Sequence, residues 1–392
     1  MSAWLFWLSI IGIAYTYAGY PLLLSILVFF RPGLPVYPSF TPYITLLIAA
    51  YNEEAVIKQK LENSLTLDYP ADHIQILVAA DGSDDNTIKI VKSFARRGVE
   101  LSFNPQRKGK MYAINQAMGK ARGEIIVFSD ANNLYEKKAL RALAAPFSDF
   151  KVGAVIGAKI IQSGDGVLGD SEGAYWKYES WIKKQETRLG YCTGSVGEIL
   201  AIRKNNFELP PENIINDDFY ILMGLIRKGY RTIYVPQARS IERVSHTAKD
   251  EIIRRTRIIA GRYQAIALAP HILPWRHPLV VWQVISHKFL RPLVPFGMIL
   301  AFLTNLACVF LPAIPGSLNF WRLAMPFNWI FLGLQSIFYF LAWLGNYLKL
   351  PGKIGRMMYI TTFLVNSNLA ALMGLIQYIT RQQSVIWKRV QR

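Results

Sequence analysis

The sequence predicts an α/β domain with a mostly parallel sheet, flanked by apolar helices long enough to cross a membrane. Three observations predict it. Between about Thr41 and Glu242, short β-branched or aliphatic runs alternate with helical stretches. Both ends of the chain hold long segments without a charged side chain. The 392 residues are 52% hydrophobic, a content that points toward lipid.

Taken in order, Ala3 to Phe30 carry no charge and read as one spanning helix within residues 1–31. The segment lacks the basic start and small-residue cleavage site of a secretory leader. In the middle domain, assigned to 41–245, "YITLLIAA", "IQILVAA", "VELSF" and "EIIVFSD" read as strands. "EAVIKQKLENSL", "DNTIKIVKSFARR", "KMYAINQAMGKA" and "KKALRALAAPF" read as the helices between them. Further on, "PWRHPLVVWQVISHKFLRP" mixes Trp275, Trp282 and Phe289 with Arg276, His277, Lys288 and Arg291, which fits interfacial amphipathic helices over 246–291. Pro292–Pro312, Met325–Leu348 and Met357–Ile379 are uncharged and long enough to span, which places membrane segments over 292–380 before a basic tail, 381–392.

The formal charge of +18 is compatible with nucleic acid, but basic residues beside membrane segments mark the cytoplasmic side, and a basic cleft suits anionic nucleotides. The expectation is an integral protein of the inner or plasma membrane with a cytoplasmic middle domain and no nucleic-acid partner. "KLPGKIGR" and "RQQSVIWKRVQR" are both basic, and both cannot face the cytoplasm if the segment between them crosses. Cys192 and Cys308 provide neither a disulfide framework nor metal-ligand spacing.

In an open parallel sheet, ligands bind where loops leave the carboxyl ends of the strands. "AAYNEE", "AADGSDDNT" and "SDANN" end the first, second and fourth strands. Singly each reads as a turn or a helix cap; together they mark one ligand-binding edge. A carboxylate at Asp130 and an amide carbonyl at Asn132 are hard-cation ligands suited to Mg²⁺ or Mn²⁺. Arg107, Lys108 and Lys110 supply positive charge for a diphosphate. There is no P-loop and no glycine-rich dinucleotide fingerprint after the first strand.

The set "AAYNEE", "AADGSDDNT", "RKGKMYAIN", "VFSDANN", "GYCTGSVGEILAIRK" and "NDDFYILMGLIRKGYRTIYVP" resembles a family 2 glycosyltransferase with the A-type, Rossmann-like fold. The flanking helices resemble its membrane-integrated branch, which includes cellulose synthase, hyaluronan synthase and poly-N-acetylglucosamine synthase. The resemblance implies that Tyr51, Asn52, Glu53 and Asp81 line the nucleoside pocket, with Lys110 near the base or diphosphate and Asp130 on the metal-diphosphate. The family more often has a second Asp where this chain has Asn132. Asp218, next to Asp217, takes the place of the general base, and Thr193, Gly194 and Ser195 sit beside the acceptor. In "EIIRRTRIIAGRYQ", Arg254, Arg257 and Ile258 stand where processive relatives carry Gln-x-x-Arg-Trp; the arginines clamp a diphosphate and the aromatic platform is missing.

The implied activity is inverting transfer of a sugar from a nucleotide sugar, a uridine diphosphate sugar first, to a membrane-associated lipid or polysaccharide acceptor. Synthesis of a cell-surface polysaccharide stands ahead of transfer of one sugar to a lipid. Four membrane segments are few for a self-contained glycan channel, which points to a homo-oligomer or a partner subunit. The rival of another class is a membrane-anchored nucleotide-binding scaffold without catalysis. Hydrolysis of the donor and a regulated transporter are the remaining alternatives.

Overall fold

The computed structural model describes residues 1–162, 166–243, 248–311, 319–348 and 352–381. Lys349–Pro351 of the basic linker, the basic tail from Gln382 onward and the expected boundary at 245/246 lie outside the described residues. The chain forms two compact units. Among the described residues, one holds Met1–Leu23, Arg255–Ile266 and those within 284–381; the other holds those within 24–254 and Ala267–Gln283.

The second unit is built on an eight-stranded sheet: β1 (Ile44–Ala50), β2 (Ile74–Asp81), β3 (Val99–Asn104), β4 (Ile125–Asp130), β5 (Leu134–Tyr135), β6 (Val152–Ile161), β7 (Leu200–Arg203) and β8 (Arg231–Glu242). Their spatial order is β3-β2-β1-β4-β7-β6-β8-β5. β1 to β4 are mutually parallel, and β7 runs against both β4 and β6, so β6 and its parallel neighbour β8 share the direction of β4. The carboxyl ends of β1, β2, β3, β4, β6 and β8 therefore open on one edge. β1 and β2 are almost wholly buried, as strands covered on both faces require.

The helix Ile57–Leu65 shows how local pattern sets orientation. Its buried positions are Ile57, Lys60, Leu61 and Ser64, one stripe at helical spacing with a lysine among the apolar residues. At the start of this unit, Arg188 donates to the carbonyls of Val28, Arg31 and Pro32 and so satisfies the open C-terminal end of the first helix.

Among the described residues four helices are long and apolar enough to cross a membrane: Ser2–Phe29, Pro278–Phe310, Phe327–Leu344 and Met358–Ile379. The second begins within the stretch read as interfacial and runs past Arg291 without a break, through a π-helical turn at Ile285–Phe289. In the first unit, Phe6, Ala301, Cys308 and Leu323 form a core flanked by Trp7, Ile10 and Phe331. Gly297 lets the second span approach Ile13, where a Cβ would stand 3.4 Å from that side chain. The asparagines link helices: Asn305 hydrogen-bonds Gln335 at 3.0 Å, and Asn328 donates to the Cys308 carbonyl at 3.0 Å.

Candidate functional site

The loops after β1 and β2 are zipped together by side chains. Asn52, in the left-handed region at φ 52°, donates from Nδ2 to Asp84 Oδ1 at 2.6 Å and accepts the Asp84 amide at 3.0 Å. The Glu53 amide donates to Thr87 Oγ1 at 2.7 Å, and the Glu54 carboxylate accepts from the Asn86 amide and side chain. Asn52, expected on the nucleoside pocket, thus spends both ends of its amide on loop structure.

Asp81 closes β2 and is buried. Its two oxygens accept the backbone N–H groups of Lys108 at 2.9 Å and Gly109 at 2.7 Å, charge-assisted bonds that hold the "RKGK" loop against the strand end. Gly82 makes this approach possible: at φ +63° it takes a conformation that side chains disfavour, and a Cβ there would lie 2.6 Å from the Arg107 nitrogen. The Arg107 guanidinium stacks over the Tyr51 ring, 3.8 Å from its centroid. Tyr51, Glu53, Asp81, Arg107, Gly109 and Lys110 surround a cleft with about 430 Å³ of open space, floored by Ala49, Ala50, Ala79 and Ala113. The alanines at the strand ends leave the room that larger side chains would fill.

Lys110, first residue of the helix Lys110–Met118, donates to Asp130 Oδ1 at 2.6 Å. Burial lowers the pKa of its ammonium, but Asp130, Asp217 and Asp218 outweigh that and hold it above its ordinary value. Lys110 thus bonds the end of β4 and lies in the field of the first turn of the helix Asp217–Arg227, although Asp130 and Asp217 are 87 positions apart in sequence. Asp217 Oδ1 accepts the Asp218 amide and Asp218 Oδ1 accepts the Phe219 amide, so both aspartates stand in the first helical turn, where the helix dipole favours negative charge. Gly197 packs beside Asp218; a Cβ there would sit 3.6 Å from Oδ2.

The turn after β4 is pinned from below. Asn133 is fully buried: Nδ2 donates to the Glu198 carbonyl at 3.0 Å and to Ser240 Oγ at 2.6 Å, while Oδ1 accepts Ser129 Oγ and Lys60 Nζ. Lys60 also donates to the Asn133 carbonyl at 2.8 Å. Burial pushes its pKa down to about 7 against the opposing pull of Asp130 and Glu198. Lys60 was not among the residues expected at the site, yet its place on the apolar stripe of its helix is visible in the sequence.

On the expected acceptor side, Thr193 is buried, and both its amide and its hydroxyl bond Glu186 Oε2, at 2.8 and 2.9 Å. The Thr193 hydroxyl is thus committed to the protein interior. Gly194 is buried as well, and Ser195 keeps partial exposure. Arg254 belongs to the sheet unit and Arg257 to the other.

Among the described residues no group of three or more His, Cys, Asp or Glu side chains is placed to hold a metal ion. Asp130 and Asn132 fit a cation bound by one carboxylate, one amide oxygen and the oxygens of a ligand, the usual manner of Mg²⁺.

Residues 45–207 match the family described as glycosyl transferase family 2. The chain is 27% identical over 291 residues to the probable glycosyltransferase YdaM of Bacillus subtilis, covering 68% of this chain and 67% of that protein. It is 27% identical over 232 residues to poly-beta-1,6-N-acetyl-D-glucosamine synthase of Staphylococcus aureus, 57% of this chain but only 55% of that synthase. The fold matches that of a mannosyltransferase from Pyrobaculum calidifontis solved with GDP-mannose and Mn²⁺, at a TM-score of 0.71 and 20% identity over 97% of this chain and 100% of that one.

Proposed function

We propose, from the premise that this chain carries a glycosyltransferase family 2 domain, that it is an inverting transferase moving a sugar from a nucleotide sugar to a membrane-associated acceptor. The observation that carries the reading is the convergence at Lys110: one ammonium hydrogen-bonded to Asp130 and in the field of Asp217 and Asp218. In this reading Lys110 neutralises a diphosphate, Asp130 binds the metal and Asp218 is the base.

In this reading the nucleoside occupies the cleft between Tyr51 and Asp81, and its diphosphate lies by Lys110. Asp130 and Asn132 would hold a divalent cation, Mg²⁺ or Mn²⁺, which would supply countercharge to the diphosphate. Asp218 takes the proton of the acceptor hydroxyl as that oxygen bonds the anomeric carbon and the bond from that carbon to the diphosphate oxygen breaks. Oδ1 of Asp218 accepts the Phe219 amide, so Oδ2 is the oxygen assigned to the proton. The four apolar helices support a lipid or growing glycan as acceptor, and the basic residues beside them are the ground for assigning the catalytic domain to the cytoplasmic side. A uridine diphosphate sugar and cell-surface polysaccharide are the first donor and product to test. Ile258, where processive relatives carry Trp, favours transfer of a single sugar to lipid as the second reading.

The test is nucleoside diphosphate release by the full chain in lipid, with a panel of donors, Mg²⁺ or Mn²⁺, and sizing of the product. Asp218→Asn is expected to lower transfer by about 10²- to 10⁴-fold while donor affinity stays unchanged. Asp130→Asn is expected to weaken donor binding itself. Normal transfer in Asp218→Asn would refute the assignment of the base.

A further inference from the structure

Asn132 stands where the family more often has aspartate, and an asparagine amide is ambiguous toward a cation: one end is an acceptor, the other a donor. The structure resolves that ambiguity with a residue 110 positions away. Nδ2 of Asn132 donates to Glu242 Oε1 at 3.2 Å. Glu242 closes β8 and is buried at 3% exposure, and its other oxygen, Oε2, pairs with the ammonium of Lys159 on β6. Lys159 also holds Glu198 Oε2 at 2.8 Å, and Ser240 Oγ donates to Glu198 Oε1 at 3.1 Å. The carboxylate facing Asn132 can only accept, so it fixes the NH₂ end toward itself and turns the carbonyl oxygen the other way. Among the described residues Asn132 Oδ1 accepts no hydrogen bond.

We propose that Glu242 is a positioning residue for the cation site: anchored by Lys159, it selects the orientation of Asn132 that makes Oδ1 a metal ligand. This rests on the reading of Asp130 and Asn132 as the cation-binding pair. In effect the second carboxylate stands one shell back, at Glu242, and the amide relays it. Outer partners of this kind are worth about 10- to 100-fold in metal affinity.

The arrangement predicts an inversion. In Glu242→Gln the Lys159 ammonium claims the new carbonyl oxygen, so the new NH₂ group faces Asn132, which must then present its own oxygen to it and its NH₂ to the cation. In Asn132→Asp alone a second carboxylate faces Glu242, and the like charges oppose each other. In the double variant the introduced aspartate accepts from the introduced NH₂ and keeps an oxygen for the cation.

The experiment measures Mn²⁺ affinity in the presence of uridine diphosphate, by electron paramagnetic resonance and calorimetry on the full chain in lipid, for wild type, D130N, E242Q, N132D and N132D/E242Q. Each single variant at Glu242 or Asn132 is expected to weaken Mn²⁺ by about 10- to 100-fold, and the double variant to return to within about threefold of wild type. E242Q within about twofold of wild type, or a double variant as weak as the product of its singles, overturns the role of Glu242 while leaving the site intact. Mn²⁺ binding unchanged in D130N removes the cation from Asp130, and the inference falls with that reading. Should E242Q fail to fold, as read by its unfolding temperature, N132D decides: weaker binding despite the added carboxylate is expected, and tighter binding overturns the proposal.

Discussion

The two halves of the sheet handle charge in opposite ways. In β3-β2-β1-β4 the buried carboxylate, Asp81, closes its strand and bonds backbone N–H groups, and the partly buried Asp130 likewise ends its strand. In β7-β6-β8 and the turn before β7, two carboxylates and an ammonium are buried against one another: Glu198, Glu242 and Lys159. The first half carries its polar chemistry in consecutive residues. The second assembles its cluster from three separate stretches of chain, and only pairing such as Lys159↔Ser240 and Ile161↔Glu242 brings them together.

The difference is most easily broken at Lys159. Lys159→Met leaves Glu198 and Glu242 buried without their ammonium, and the expected loss of stability is about 3–5 kcal/mol, read from thermal or denaturant unfolding in lipid or detergent. A loss under about 1 kcal/mol would show that charge pairing is not what holds this half. Next in size, Asp81→Ala removes two charge-assisted bonds to the Lys108 and Gly109 amides; about 3 kcal/mol is expected, with increased proteolysis of the loop 104–109 as the local readout. Intact protection of that loop would mean that Gly82 and the Tyr51–Arg107 stack suffice to hold it.

The smallest effect sharpens the comparison at the join between the halves, where Lys60 and Asn133 meet. The folded pKa of Lys60 is depressed to about 7 from an ordinary 10.5, so between those values the unfolded chain binds one proton more than the folded chain. Stability from this group therefore rises as pH rises above about 7 and is lowest below it. Relative to Lys60→Met, wild type is expected to gain about 1 kcal/mol between pH 7 and 8. A difference that does not change with pH would show that Lys60 does not titrate in this range.

Much of the first half was legible because its information is local. β1 to β4 and the helices between them follow from apolar runs and period changes, and the edge that carries the proposed site follows from polar clusters at strand ends. The family resemblance, not the local pattern, implied Asn52 on the nucleoside pocket and Thr193 beside the acceptor; in the structure the Asn52 amide locks two loops and the Thr193 hydroxyl bonds Glu186. A residue type at a strand end says which chemistry is available, not which partner consumes it.

By itself the sequence determined the strand-helix alternation, the four apolar helices and the identity of the edge where Asp81, Lys110 and Asp130 gather, because each depends on neighbours within a few residues along the chain. Only the tertiary structure decided that Asp217 and Asp218 share the field of Lys110, that Lys60 supports the turn beneath Asp130, and that Glu242 orients Asn132. Those outcomes depend on which strands pair and in what register, and one residue of slip would send every side chain of a strand to the opposite face.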